Sequence, residues 1–198
     1  NYVIGTHPHE DHIGGLDDVI NSDLKIENLW MPKIQTNTKT FEDVLDAVKN
    51  KGLRVTAPNK GDSFEIGKAK CEVMTDSILN KDNLNLSSIV IRLEFENNSF
   101  LFMGDAETAN EKTRTWMKTD VLKVGHHGSN TSSSEDFLKQ INPTYAVIMA
   151  GKNNSYGLPK QKILDRLAKI GAKVYRTDEE GTIMMISNGN NIEVKENT

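Results

Sequence analysis

The chain contains 198 residues with a mass of 22.1 kDa, which is long enough for one domain with a sizeable core. Hydrophobic residues account for 36% and charged residues for 26%, and no apolar run approaches the roughly 18 residues of a membrane-spanning helix. The net charge of −4 argues against tight nonspecific binding to nucleic acid, and the single cysteine, Cys71, excludes an internal disulfide bond.

Short apolar runs alternate with amphipathic segments along the chain, a pattern that predicts an α/β fold with strands inside and helices outside. Strands are expected, in chain order, at residues 2–4, 26–31, 54–57, 61–67, 71–75, 88–96, 99–103, 121–124, 145–149, 174–176, 182–186 and 192–194. Helices are expected at residues 15–21, 40–52, 106–118, 132–140 and 159–170. The polar stretch from 76 to 87 is interpreted either as a loop over a site or as a plain connector.

Two local signals concern the ends of these elements. Ser132, with Glu135 three residues later, predicts a capping box at the start of a helix. The acidic segment Asp178-Glu179-Glu180-Gly181 is interpreted as a solvated hairpin turn.

The segment Thr6-His7-Pro8-His9-Glu10-Asp11-His12 follows the first predicted strand directly and is rich in metal-binding side chains. Imidazole nitrogen and carboxylate oxygen are donors that suit Zn(II), Mn(II) and Fe(II). A strand that turns into a helix would direct the first two imidazoles toward one ion, and Asp11 and His12 toward a second. The alternatives are a surface turn that is rich in histidine by chance, or a mononuclear site. All five histidines lie either here or in His126-His127.

His7-Pro8-His9-Glu10-Asp11-His12 resembles the HxHxDH motif of the metallo-β-lactamase superfamily. Further segments resemble the hydrolase domain of ComEC-type competence proteins, stand-alone clostridial hydrolases and the pneumococcal choline-phosphate esterase: Gly104-Asp105-Ala106-Glu107, Leu122-Lys123-Val124-Gly125-His126-His127-Gly128-Ser129 and Asn154-Ser155-Tyr156-Gly157. The resemblance extends over nearly the whole chain. It implies a single metallo-β-lactamase-fold domain over residues 1–198, an α/β (α+β) four-layer αββα sandwich.

The resemblance also implies a set of metal ligands and a reaction. The implied ligands are His7, His9 and His126 for a first divalent ion, Asp11 and His12 for a second, and Asp105 between the two. Zinc is the expected metal, with Mn(II) or Fe(II) as alternatives. Two such ions about 3.5–4 Å apart can hold a bridging hydroxide at neutral pH, which would be the nucleophile. Because only two of these ligands are carboxylates, the loaded site would be locally cationic and would suit an anionic phosphodiester.

Further residues are expected to take part in catalysis or substrate binding. Asp11 is expected to be catalytic as well as a ligand, and His127 to steady the transition state or protonate the leaving oxygen. Ser129, Asn154 and Tyr156 are expected to bind the substrate.

Several of these positions also have simpler interpretations. Asp105 could cap the helix predicted after it, because aspartate is a favoured N-cap residue. His127 could be a packing residue or could act only through a ligand. Asn83 and Asn85 could contact the substrate or could only shape their loop.

Two departures from the family pattern bear on function. Tyr156-Gly157-Leu158-Pro159 has leucine where ComEC-like chains usually have histidine, so any substrate contact or proton transfer by that histidine is missing.

The family also has roughly 60 residues before the HxHxDH strand, an estimate from ordinary strand and loop lengths, so this chain is expected to lack the first strands. Its start at Asn1, without a signal peptide, suggests a processed or truncated product. A sheet without its first strands exposes an edge, which invites another segment or a second chain to pair there, and a homodimer through that edge is one expected outcome.

The function predicted from the sequence is metal-dependent hydrolysis of a phosphate ester, and DNA or another nucleic acid, weakly held, is one candidate substrate. A catalytically impaired metal-binding or assembly module is an alternative that Leu158 favours. Hydrolysis of a lactone, thioester or β-lactam is another, against which His126-His127-Gly128-Ser129 argues, and an oxygen-using iron centre would accept the same ligands. Resemblance to the clostridial hydrolases favours the cell surface or the extracellular space.

Overall fold

Two β-sheets and a hairpin make up the strands of the protein, which a computed structural model describes over residues 1–195. The smaller sheet is parallel, with strands in the order β1 (Tyr2–Ile4), β2 (Asn28–Trp30) and β3 (Val55–Thr56). The larger sheet contains β4 (Ser63–Ile66), β5 (Ala69–Val73), β6 (Ile91–Phe95), β7 (Asn98–Phe102), β8 (Val121–Lys123), β9 (Tyr145–Ile148) and β10 (Lys173–Arg176). The hairpin consists of β11 (Met184–Ser187) and β12 (Ile192–Lys195).

Strand direction in the larger sheet decides where its loops emerge. Its spatial order is β10-β9-β8-β7-β6-β5-β4, antiparallel from β4 to β7 and parallel from β7 to β10. Because parallel strands end at the same edge, the segments that follow β7, β8 and β9 meet there.

The helices are mostly short and flank the sheets. They are α1 (Glu10–Ile13), α2 (Leu16–Asn21), α3 (Lys39–Lys51), α4 (Thr108–Glu111), α5 (Glu135–Ile141), α6 (Gln161–Lys169) and α7 (Thr177–Glu180), with 3₁₀ turns at Leu84–Ser87 and Gly125–Gly128. In α3, Thr38 caps the first turn by accepting a hydrogen bond from Phe41 N, and Gly52 ends the helix in the left-handed conformation. Within residues 1–195, none of the helices is long and apolar enough to cross a membrane.

Three apolar cores separate four layers, which confirms the predicted αββα sandwich. Helices α1 to α3 pack on the smaller sheet through residues such as Ile20, Leu29 and Val44. Trp30 and Phe64 belong to the core between the two sheets. The largest core lies between the larger sheet and helices α5 and α6, and includes Leu101, Leu122, Phe137, Ile163 and Leu167.

The helix predicted at residues 106–118 is wrong in its extent, because only Thr108–Glu111 is helical. Trp116 is buried in the largest core, and its indole nitrogen donates to the carbonyl oxygen of Glu111 at 2.6 Å. The carbonyl that would continue the helix is therefore engaged by a side chain, and burial of the indole overrides local helix propensity.

The two predictions about element ends are also wrong. Ser134, not Ser132, caps α5 by accepting a hydrogen bond from Phe137 N, whereas the Ser132 hydroxyl donates to the carbonyl oxygen of Gly125. The acidic segment near residue 178 forms α7 rather than a hairpin turn, and Arg176 pairs there with Asp178. Contacts with distant segments decide both cases, and local spacing does not contain them.

Candidate metal centre

The segments that follow three strands bring all five histidines and Asp105 together. His7 and His9 lie in the turn after β1, and Asp11 and His12 lie in α1, which begins one residue after His9. Asp105 follows β7. His126 and His127 occupy the 3₁₀ turn after β8, so each sheet contributes to the same site.

Asp11, His12, Asp105 and His127 form a compact group, in which one potential ligand atom from each residue lies within 4.8 Å of the others. His12 Nε2 lies 3.2 Å from His127 Nε2 and 3.2 Å from Asp105 Oδ1. His127 Nε2 lies 3.3 Å from Asp11 Oδ2 and 3.4 Å from Asp105 Oδ1. We call these four residues the second cluster.

The remaining histidines surround the other oxygen of Asp105. His7 Nε2 and His126 Nε2 each lie 3.8 Å from Asp105 Oδ2, and His7 Nε2 lies 3.0 Å from His9 Nδ1. We call His7, His9 and His126 the first cluster. The Asp105 carboxylate therefore lies between two groups of nitrogen atoms, and it does not cap α4, whose N-cap residue is Glu107.

The charges in this region fit a bound cation. Burial, together with the neighbouring imidazole of His12, lowers the pKa of His7 to about 3, which leaves its ring neutral at physiological pH. Burial alone would raise the pKa of Asp105, but contacts with His12 and His127 outweigh burial and hold that pKa well below its usual range. Among the described residues nothing hydrogen-bonds to the buried Asp105 Oδ1, although two imidazole nitrogens lie nearby. A divalent cation would satisfy this oxygen and the surrounding nitrogen lone pairs together.

The outer nitrogens of the imidazoles have their own partners. His127 Nδ1 donates to the carbonyl oxygen of Met149 at 2.6 Å, which leaves Nε2 without a proton when the ring is neutral. The Thr6 hydroxyl lies 3.2 Å from Nδ1 of His7 and 3.4 Å from Nδ1 of His12. Such contacts fix the ring orientation of metal-binding histidines in proteins.

Glu107 lies beside His126 and ties a loop to the site, which the sequence did not reveal, and the Thr131 hydroxyl is the nearer partner of His126 Nδ1, at 3.0 Å. Glu107 Oε1 lies 3.4 Å from His126 Nδ1, and the two oxygens of this carboxylate accept hydrogen bonds from Asn83 Nδ2 at 3.0 Å and Asn85 Nδ2 at 3.3 Å. Asn85 Nδ2 also lies 3.3 Å from His126 Nε2. The stretch from 76 to 87 therefore reaches the site through these two amides. The only sequence signal for Glu107 was its place in the Gly104-Asp105-Ala106-Glu107 motif.

The turn that carries His126 and His127 is strained. Both residues adopt left-handed backbone angles, with φ of 48° and 51°, which cost non-glycine residues on the order of 1–3 kcal/mol each. At Gly128, with φ of +80°, an added Cβ would lie 2.6 Å from the Cβ of Pro159, so only glycine fits. Strain of this kind persists where surrounding contacts fix the backbone, and here it sends adjacent imidazoles to different clusters.

Two cavities open beside the clusters. One of about 490 Å³ is lined by His9, Glu10, Asp11, Asn85, Asp105, His126, His127, Tyr156 and Leu158. The other, of about 410 Å³, is lined by Asp11, His127, Met149, Ala150, Gly151, Asn154, Tyr156, Leu158 and Thr177. The second cavity is mainly apolar, and the 77% exposed side chain of Tyr156 borders both.

The residues predicted to bind substrate differ in their positions. Tyr156 lines both cavities, whereas the Asn154 amide is engaged in its own loop, with Nδ2 donating to Leu158 O at 2.7 Å and Oδ1 accepting from Leu158 N at 3.0 Å. Ser129 is not among the described residues that line either cavity, and its hydroxyl lies 3.3 Å from Thr131 Oγ1. Of these three residues, only Tyr156 borders both cavities.

Comparisons with known proteins identify the family of the chain. Residues 1–152 match the family model described as the metallo-beta-lactamase superfamily. ComE operon protein 3 of Bacillus subtilis (strain 168), a ComEC-like competence protein, is 36% identical over 185 residues, which cover 91% of this chain but only 24% of that protein. The predicted resemblance to ComEC-type proteins is confirmed.

Solved structures agree on the fold. CmlA, a diiron β-hydroxylase from Streptomyces venezuelae, matches 88% of this chain and 43% of its own at a TM-score of 0.60 and 13% identity. The metallo-β-lactamase fold protein YhfI from Bacillus subtilis matches 89% of this chain and 74% of its own at a TM-score of 0.54 and 11% identity. The chain thus belongs to the metallo-β-lactamase superfamily, whose fold binds divalent metals and whose members are generally hydrolytic.

Proposed function

We propose that this chain hydrolyses phosphodiesters with the help of two divalent metal ions, zinc being the first candidate. The observation that carries the proposal is the position of Asp105, whose Oδ2 faces the first cluster and whose Oδ1 faces the second. A carboxylate shared in this way is the ligand that two close cations require.

In this proposal His7, His9 and His126 bind one ion, and Asp11, His12 and His127 bind the other, with Asp105 between them. His127 thereby becomes a ligand, whereas the sequence had suggested a proton donor. The reason is its geometry: Nδ1 is engaged by Met149 O, and Nε2 lies among the atoms of the second cluster. With Nε2 bound to an ion and Nδ1 bonded to Met149 O, His127 would have no N–H to give to a leaving group. The nitrogen-rich first cluster suits zinc, and the second cluster, with two carboxylates, also suits Mn(II) or Fe(II).

When bound, the two ions would polarise a phosphoryl oxygen and lower the pKa of a water molecule to about 7. The residues of the chain contribute position and charge. Asp11 and Asp105 are the only carboxylates in the second cluster, and the first has no carboxylate besides the shared Asp105. Four positive charges on the ions would face the two negative charges of these ligands and a third on nearby Glu107, so the loaded site would still attract an anion although the whole chain has a charge of −4.

The substrate would extend from the clusters into the mainly apolar cavity beside Met149, Tyr156 and Leu158. This lining suits an uncharged, ring-bearing group attached to the phosphate, such as a nucleoside, because exposed aromatic side chains stack on bases. DNA or another nucleic acid is therefore one candidate substrate. Weak binding is expected because tight nonspecific binding needs many basic contacts.

The test is metal-dependent turnover of bis(p-nitrophenyl) phosphate, with metal content measured by mass spectrometry before and after addition of Zn(II) or Mn(II). We expect about two ions per chain and turnover that Asp11→Ala lowers by at least about a hundredfold. Metal binding without turnover, in this chain and in longer forms of it, would instead favour the assembly module that Leu158 suggests. Faster hydrolysis of nitrocefin or of a lactone would overturn the choice of phosphodiesters.

We further propose that the chain forms a homodimer through the edge of the smaller sheet. In the described structure β1 is the outermost strand on one side of this sheet, and only β2 pairs with it. An unpaired edge offers backbone donors and acceptors to a second chain. Light scattering during size-exclusion chromatography would measure the mass directly, and a monomer at all concentrations would contradict the proposal.

A further inference from the structure

Lys123 stands at an unusual place in the larger sheet. It is the last residue of β8, a strand enclosed by β7 and β9, and the residues opposite it are Phe102 and Val147. Burial lowers the pKa of its ammonium group. A valine or leucine would pack here without the cost of removing a charge from water. We therefore expect specific contacts of the lysine to offset that cost.

The contacts of Lys123 indicate its role. The Lys123 ammonium donates to the carbonyl oxygen of Val124 at 2.9 Å and to that of Gly104 at 3.4 Å. Gly104 immediately precedes Asp105, and its carbonyl oxygen also accepts a hydrogen bond from His126 N at 3.1 Å. One ammonium group therefore joins the turn that carries Asp105 to the turn that carries both adjacent histidines.

We propose that Lys123 is a positioning residue that holds Asp105 at the distance from His126 and His127 at which both clusters share it. This inference rests on the proposed metal centre but not on the proposed substrate. Lys123 touches no ligand side chain in the contacts described, so it acts through the backbone carbonyls of Gly104 and Val124. The strained backbone of His126 and His127 needs such external contacts to persist.

An electrostatic role and a positioning role predict opposite results when the lysine is removed. A cation close to a cation site repels the incoming ion, so charge alone predicts that Lys123→Met binds metal more tightly. Loss of positioning predicts weaker binding, by roughly 10- to 100-fold as for other residues that support ligands.

The first experiment measures the affinity for Zn(II) and Mn(II) by competition with a chromophoric chelator, and the number of ions per chain by mass spectrometry. We expect weaker binding in Lys123→Met, partial rescue in Lys123→Arg, which retains N–H donors, and no change in Lys118→Met, which alters an exposed lysine. Unchanged or tighter binding in Lys123→Met would overturn the inference. The absorption spectrum of bound Co(II) would report altered ligand geometry independently of activity.

The second experiment needs no metal. In the metal-free protein, exchange of the His126 amide hydrogen reports its bond to Gly104 O, and we expect it to be at least tenfold faster in Lys123→Met. The amide of Leu122, within β8, serves as the reference for general loss of stability. If Lys123→Met does not fold, Lys123→Gln replaces it. Equal acceleration at both amides would mean a purely structural role and would overturn the inference, whether or not the chain proves to hydrolyse phosphodiesters.

Discussion

Asp105 and Glu111 are both buried carboxylates, 2% and 3% exposed, but their surroundings differ. Asp105 lies among imidazole nitrogens, its Oδ1 has no hydrogen bond within the described part of the chain, and its pKa is held below the usual range. Glu111 accepts hydrogen bonds from the backbone N–H groups of Ser133 and Ser134, and burial raises its pKa.

Under the proposed function, Asp105 is a metal ligand, whereas Glu111 supports the fold. Backbone donors satisfy Glu111 without any further group, and it supports the segment that leads into α5. Asp105 is surrounded by imidazole nitrogens instead of backbone donors, the setting that the proposed function assigns to a shared metal ligand. Substitution of the two residues should therefore affect different properties, metal binding for Asp105 and stability for Glu111.

Asp105→Asn should have the largest effect. Loss of the shared charge is expected to reduce the metal content from about two ions to one or none and to lower turnover of bis(p-nitrophenyl) phosphate by about a thousandfold, equivalent to several kcal/mol of transition-state stabilisation. Metal analysis and initial rates measure both effects. Asp46→Asn, on the exposed surface of α3, is the matched control. Full metal content in Asp105→Asn would contradict the proposal that Asp105 is the shared metal ligand, and with it the contrast between Asp105 and Glu111.

Asp11→Asn should affect one cluster only. Asp11 is 64% exposed at its side chain and contacts His127 and His12, but no contact with the first cluster is described for it. We expect one ion to remain and turnover to fall by about a hundredfold, because a single ion still polarises the phosphoryl group. Loss of both ions would show that the clusters fill only together, and the two-cluster description would then have to be replaced by a single cooperative site.

A third acid, Glu107, lies close to the proposed metal ligand His126 but is not itself proposed as a ligand. Glu107→Gln tests this intermediate case. Replacing the charged carboxylate removes a negative charge 3.4 Å from His126 Nδ1 and should reduce metal affinity by roughly 10-fold, because the Thr131 hydroxyl still contacts that nitrogen, with a smaller effect on saturated turnover. Titration with a competing chelator measures the affinity. Glu65→Gln, exposed on β4, is the control, and equal affinities of the two variants would contradict an orienting role.

The sequence predicted the parts of the site that depend on local spacing. The histidines and Asp11 after β1 follow one strand within a few residues, so their shared site could be inferred from the pattern itself. Asp105 and His126 lie far along the chain, and only the resemblance to a family connected them to that site. Alternating apolar runs predicted strands inside and helices outside, whereas the four-layer arrangement came from the resemblance to the family.

Other features were not predictable because they depend on backbone conformation or on distant contacts. The left-handed angles of two successive histidines send His127 into the second cluster, and no pattern of residue types indicates such angles for histidine. Glu107 and Lys123 act through hydrogen bonds to residues brought near by sheet pairing. The early end of α4 likewise depends on the burial of Trp116.

Glu111→Gln should have the smallest effect on the site and a distinct effect on stability. The folded-state pKa of Glu111 is raised above the unfolded value of about 4.5, so the folded chain holds this proton more strongly. The free energy of unfolding should therefore fall as the pH rises from about 4.5 through the folded-state pKa, and glutamine, which does not titrate, should remove that decline. Urea unfolding of the metal-free protein between about pH 4 and 7 measures it, with Glu65→Gln as the control. Parallel curves for Glu111→Gln and the unsubstituted chain would show that Glu111 does not cause the decline. Loss of bound metal in Glu111→Gln would show that Glu111 also supports metal binding. Either result would contradict the contrast with Asp105.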